Sequence, residues 1–286
     1  MASVRAAASL ASKPFRPTVS LHGRHCLITG GSGALGASIA ADMARAGARV
    51  TLLGRNEDKL RAALQAVVSS ASENLEADSA GNRKSVDQTA TGESSHRYLV
   101  VGREGGEVKD IIAAERKIDV LVNAAGIPQS SLLFKTDYDE IERLLESNLS
   151  LSIKACKAAT RPLMRAAPDS CIINMASVLG THGGRGSSVY AASKAGIIGK
   201  FREDLEINTP QPLGPLGIRV NCLVPGYIQA GMTESVGNIP IKPEQIPLGR
   251  YGHPSEVSHA ALFLATNRYA NNCILNIDGG LSVGLV

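Results

Sequence analysis

Seven short apolar runs in this chain do not alternate with polar residues: HCLIT (25–29), RVTLL (49–53), RYLVV (97–101), IDVLVN (118–123), CIINM (171–175), IRVNCLV (218–224) and CILNI (273–277). A strand with one wet face reads apolar, polar, apolar; a strand covered on both faces is apolar nearly throughout. Between these runs lie patterns of helical length at 34–47, 57–68, 138–165, 189–206 and 254–266. Strand and helix in succession predict a single α/β domain: a doubly wound parallel sheet of about seven strands with helices on both faces. Ligands bind such a sheet at the carboxyl ends of its strands, where the strand order reverses.

The first run leads into CLITGGSGALGASIA (26–40), with Gly31-x-Gly33-x-x-Gly36 between a strand and a helix. Glycines there let the backbone turn tightly and approach a pyrophosphate, which then sits on the unpaired N–H groups of the helix N-terminus. This makes the sheet Rossmann-type and singles out Gly30, Ser32, Gly33, Leu35 and Gly36 as dinucleotide-binding candidates. At the end of the second strand an NAD enzyme usually carries a carboxylate for the ribose hydroxyls. Here the stretch is TLLGRNEDKL, with Gly54 in that place and Arg55 and Asn56 after it. A guanidinium suits a 2′-phosphate that a carboxylate would repel, so the expected cofactor is NADP(H).

The remaining composition mainly excludes. A net charge of +4 over 286 residues is small, and no basic-aromatic motif points to nucleic acid. No apolar run reaches the ~18–20 residues that span a bilayer, so no membrane role is expected. The odd set of five cysteines lacks metal-ligand spacing and reads as buried thiols in a reducing compartment, with no metal expected. Residues 1–23 contain Arg5, Lys13 and Arg16 and no acid, the composition of a mitochondrial transit peptide or of a disordered tail. The dinucleotide-binding domain is therefore expected over 24–286, in the mitochondrial matrix, with the cytoplasm as the alternative. Residues 69–95 are Ser/Asp/Glu/Asn/Gly-rich and predict a polar surface insertion. The prolines of NTPQPLGPLG (208–217) end the preceding helix.

Tyr190 and Lys194, in SVYAASKAGIIG (188–199), lie four apart and so stack on one helix face. Alone, that spacing is more often a solvated surface. The context changes its weight: LVNAAG (121–126) ends the fourth run, Asn148 lies in LLESNLSLSIKACKAA, and CIINMAS brings Ser177 to the end of the fifth. These elements in this order resemble the short-chain dehydrogenase/reductases from about Arg24 to Leu281. IRVNCLVPGYIQAGM (218–232), IPLGRYGHPSEVSHAALFLATN and ILNIDGGLS resemble the 3-oxoacyl-(acyl-carrier-protein) reductases among them.

The resemblance implies a catalytic set of Asn148, Ser177, Tyr190 and Lys194. Tyr190 would protonate the substrate oxygen, its pKa lowered by the Lys194 ammonium, which would also hold the nicotinamide ribose. Ser177 would hydrogen-bond the carbonyl oxygen, and Asn148 would anchor a proton-relaying water. Asn123, Ala125 and Gly126, with Pro225, Gly226 and Ile228, would complete the cofactor site. The implied reaction is NADPH-dependent reduction of a 3-oxoacyl group on its carrier protein in fatty acid synthesis. Its alternatives are reduction of another ketone or a catalytically idle partner subunit. The implied assembly is a homotetramer. The chain departs from the family pattern at Ala34, at Ala230, and after the third strand, where LVVGREGG lacks the aspartate that meets adenine and the next helix is abbreviated. His182 and His253 are read as loop residues.

Overall fold

The computed structural model describes residues 20–78, 96–102, 106–129, 131–203, 213–229 and 241–284. Strands β1 (His25–Thr29), β2 (Arg49–Gly54), β3 (Arg97–Val100), β4 (Val120–Asn123), β5 (Ser170–Met175), β6 (Ile218–Pro225) and β7 (Ile274–Ile277) form one sheet. Every pairing is parallel and the order is β3-β2-β1-β4-β5-β6-β7, so the winding reverses between β1 and β4.

The unbroken apolar runs follow from burial on both sides. Cys26 and Ile28 of β1, Val120 and Val122 of β4, and Cys171 and Ile173 of β5 pack on one face, against α1 (Ala34–Arg45), α2 (Glu57–Asp78) and α8 (Pro254–Thr266). Leu27, Leu121 and Ile172 point the other way, against α3 (Val108–Ala114), α5 (Leu151–Met164) and α7 (Ser188–Glu203). Alternate residues thus feed two cores. Each large aliphatic side chain fully buried there contributes roughly 1.5–3 kcal/mol of transfer free energy. The other helices are α4 (Tyr138–Leu145) and the short α6 (Leu179–His182) and α9 (Leu281–Gly284).

Three expectations need correction. Helix α2 continues to Asp78, ten residues into the stretch read as a surface insertion. Low hydrophobicity argues against burial and not against helix, and SSASENLEAD is well supplied with Ala, Leu and Glu. The Ser69 and Ser70 hydroxyls donate back to the carbonyls of Gln65 and Ala66, so their polar groups find partners on the helix itself. Residues 79–95, like residues 1–19, 204–212 and Ala230, lie outside the described residues. The helix expected over 138–165 is α4 and α5 joined by a π turn at Glu146–Ser150. Finally, Leu21 is fully buried and its N–H donates to the Ala46 carbonyl, so chain before Arg24 is already part of the packed body.

Candidate active site

A cleft of about 1590 Å³ runs along the carboxyl ends of the strands across the β1/β4 border. Its floor is the turn after β1. Gly30 has φ +67, and a Cβ there would lie 2.6 Å from the Ala125 Cα, so this turn rests directly on the turn after β4. A Cβ at Gly36 would run into the Gly30 carbonyl oxygen, which makes that glycine the condition for α1 to sit down on the turn. Helix α1 starts after an extended Gly33 with no side-chain cap and no acid in its first turn. Its N-terminal N–H groups therefore face the cleft without a side-chain acceptor, the arrangement that takes an anion. Gly30, Ser32, Gly33, Leu35 and Gly36 all line the cleft, and so does Ala34.

Beyond β2 the wall is basic. Arg55 and Lys59 line the cleft beside Ser32. Lys59 was missed in the sequence, where it stands four residues past Arg55 as the second cation of the same helix start. The Glu57 carboxylate nearby accepts from Arg61 at 2.9 Å and from the Tyr98 hydroxyl at 3.0 Å, so its charge is paired outside the cleft. Asn56 belongs to the helix rather than the site: its Oδ1 accepts from the Lys59 N–H at 2.9 Å, capping α2. Leu53, Val101 and Val108 line the far end, giving an apolar wall where the family pattern has an aspartate.

Across the border, Ala124, Ala125 and Gly126 carry the wall onward. Asn123 does not face the cleft. Its Nδ2 donates to the Asn174 Oδ1 at 2.8 Å within the sheet, and the side chain is buried. Asn148 is also fully buried, in the π turn. Its Oδ1 accepts from the Ile127 N–H at 2.8 Å while its Nδ2 donates to the Ile127 carbonyl at 3.1 Å and to Ser193 Oγ at 3.2 Å. The π turn widens the helix at that residue, as such turns often do at functional positions.

Ser177, Tyr190 and Lys194 come together on the cleft wall. The Ser177 Oγ accepts from the Leu179 N–H at 3.2 Å, and Ser177 and Tyr190 both line the cleft. The Lys194 Nζ donates to the Met175 carbonyl at 2.9 Å and lies 5.7 Å from the Tyr190 ring centroid. A Cβ on Gly126 would sit 3.2 Å from Asn148 Oδ1 and 3.4 Å from Lys194 Nζ, so the backbone of this turn packs closely on both side chains. Pro225, Gly226 and Ile228 close this end, with His182 and Arg185 at the mouth. His182 ends α6, and His253 caps α8 by accepting from the Ser255 N–H.

Burial dominates the titration of this pair. It drives the Lys194 ammonium down to about 8 and the Tyr190 phenol up to about 12, the neighbouring Ser177 hydroxyl pulling the phenol a little the other way. The expected lowering of the phenol by Lys194 does not hold in this geometry, because the ammonium is turned to the Met175 carbonyl. At neutral pH the site presents a protonated phenol and a charged lysine: a proton donor beside a cation.

The chain matches known proteins along most of its length. Residues 106–282 match the family model described as enoyl-(acyl carrier protein) reductase, and residues 24–94 match short chain dehydrogenase. The chain is 36% identical to the 3-oxoacyl-(acyl-carrier-protein) reductase FabG of Chlamydia trachomatis, over 90% of this chain and 96% of that one. It is 34% identical to the human 3-oxoacyl-(acyl-carrier-protein) reductase, over 90% and 98%. Among solved structures, a putative NAD(P) dependent gluconate 5-dehydrogenase of Beutenbergia cavernae with bound NADP superposes with a TM-score of 0.75. The identity there is 27%, covering 93% of this chain and 99% of that one. The two family matches and identities of 34–36% along nearly the whole length, on a doubly wound parallel sheet, make this chain a member of the short-chain dehydrogenase/reductase family of oxidoreductases.

Proposed function

We propose that this protein reduces 3-oxoacyl groups on an acyl carrier protein to 3-hydroxyacyl groups with NADPH, as a step of fatty acid synthesis. The observation that carries the reading is the convergence of Ser177, Tyr190 and the buried Lys194 on one cleft wall, at the carboxyl ends of the strands. The names of the relatives supply the substrate class.

The turn from Gly30 to Gly36 with the α1 N-terminus would hold the pyrophosphate, and Arg55 and Lys59 the 2′-phosphate. Ala125, Gly126, Lys194, Pro225, Gly226 and Ile228 would hold the nicotinamide half. A reduced nicotinamide, once bound, supplies the hydride. Ser177 then orients the substrate carbonyl, and Tyr190 gives its proton to the oxygen as negative charge develops there. Arg143 and Arg185 line the cleft without an acidic partner among the described residues, a mouth suited to the phosphate of a pantetheine arm.

The test is NADPH oxidation with a panel of 3-oxoacyl thioesters and unrelated ketones. Turnover of the thioesters well above that of the ketones is the expected result; the reverse order makes the protein a general carbonyl reductase. NADPH should bind more tightly than NADH, and Arg55→Asp should erase or reverse that preference. Equal dissociation constants in the parent protein would refute the cofactor assignment.

A mitochondrial location rests on the basic, acid-free composition of the first 23 residues, and the fate of a fluorescent full-length fusion tests it. A homotetramer rests on the partly exposed Leu145, Ile153 and Met164 along α4 and α5, which leave apolar surface for a second copy. A monomeric mass in solution at micromolar concentration would refute it.

A further inference from the structure

Helix α7 carries Tyr190 in its first turn, where backbone N–H groups have no partner within the helix. Among the described residues its cap comes from far away in sequence. The Gln129 Oε1, from the loop after β4, accepts from the Val189 N–H at 2.9 Å and from the Tyr190 N–H at 3.0 Å. Gln129 is 5% exposed, so water does not compete for those donors. Its Nε2 is held in turn by the Ser131 carbonyl at 3.1 Å and the Thr136 Oγ1 at 3.2 Å.

These bonds close a circuit. Asn148 clamps both backbone polar groups of Ile127, two residues before Gln129, and donates to Ser193 Oγ. Ser193 Oγ donates to the Tyr190 carbonyl at 2.6 Å. The Tyr190 residue is therefore gripped at both ends, its N–H by Gln129 and its carbonyl by Ser193, and both grips lead back to the loop that carries the Gly126 wall.

We propose that Gln129 is a positioning residue for catalysis: through its double acceptor bond it sets the depth and rotation of the first turn of α7, and with it the place of the Tyr190 phenol against Ser177. The proposal rests on the reading of Tyr190 as proton donor. A neutral carboxamide accepts two N–H groups without placing a negative charge next to a phenol that must become a phenolate. Displacement of a reacting group by about 1 Å can cost on the order of 10²-fold in rate.

The test compares Gln129→Leu and Gln129→Asn with the parent, using an acetoacetyl thioester and NADPH below the melting temperature of each variant. Leu removes the acceptor, and Asn draws it back by one methylene. Both should lower kcat by about 10- to 100-fold with NADPH affinity and the substrate KM nearly unchanged. A residue that merely stabilised the fold would lower the melting temperature and leave kcat per folded molecule alone. If Leu fails to fold, Asn makes the same comparison. Parental kcat in Asn overturns the proposal. Tyr190→Phe, measured alongside, separates the two readings: if it is active the proton donor is misassigned, and if it is dead while Asn is normal only the role of Gln129 falls.

Discussion

Lys194 keeps a charge where water hardly reaches it, and folding carries that cost. Its ordinary value of 10.5 falls to about 8 in the folded chain. Below pH 8 both folded and unfolded chains hold the proton, and the folded state bears the whole desolvation penalty, on the order of 3 kcal/mol. Between about pH 8 and 10.5 the unfolded chain binds more protons than the folded one, so this contribution to stability rises with pH. Lys194→Met should therefore raise the melting temperature of the cofactor-free protein at pH 7, even after losing the bond to the Met175 carbonyl. That gain should shrink as the pH approaches 10.5, and a Met variant less stable than the parent at pH 7 would contradict it. For Tyr190 the consequence is directional. A phenol pushed up to about 12 is a donor at neutral pH and a poor base, so alcohol oxidation by the same site should speed up with rising pH until the protein unfolds. Tyr190→Phe should cut reduction by at least ~10²–10⁴-fold with NADPH binding nearly intact. Near-parental turnover would exclude the phenol. These residues were singled out by the resemblance to the short-chain dehydrogenase/reductases that their order in the chain carries. Their titration was not legible there, because burial is a property of the folded environment and here it outweighs the neighbouring charge.

The elements were legible to different depths. Strands announced themselves because burial on both faces leaves a run that no other local structure requires. The glycine turn was equally plain, and its packing yields a sharp prediction. Gly36→Ala puts a methyl against the Gly30 carbonyl, so α1 must lift off the turn. Overpacking of this kind costs about 1–3 kcal/mol, and the lifted N-terminus should weaken NADPH binding more than the melting temperature suggests. A variant with parental affinity for NADPH would show that the turn can yield without disturbing the site. The π turn at Asn148 escaped the sequence, since its residues have ordinary helical periodicity and only the hydrogen bonds to Ile127 and Ser193 reveal why the helix widens there. Asn56 and Asn123 were misread for a related reason: a carboxamide near a site is as useful for capping a helix or tying two strands as for touching a ligand. Lys59 and Gln129 were passed over because one looks like any surface lysine and the other like any loop glutamine until the chain is folded.

At the scale of the molecule, a doubly wound parallel sheet of about seven strands followed from strand-helix alternation, but the edges of the body did not. Leu21 sits in the core beneath β1 and α1, while its surroundings in sequence are those of a leader. Removing residues 1–19 should leave the melting temperature nearly unchanged. Removing residues 1–23 should destabilise the protein by roughly the 2–5 kcal/mol that loss of a buried leucine costs. Equal melting temperatures for the two truncations would show that the Leu21 contact does not matter. The border between β1 and β4 has one more consequence, and it concerns the order in which the protein folds. His25 and Asp119, bonded across that border, are 94 residues apart in the chain, so the two walls of the cleft meet only after an entire half of the sheet has been laid down and turned back. Contacts of such sequence separation form slowly. Competence to bind NADPH should therefore lag behind the return of helical circular dichroism when the denatured protein is diluted into buffer, and recovery of both signals in one phase would show that the two halves assemble as a single event.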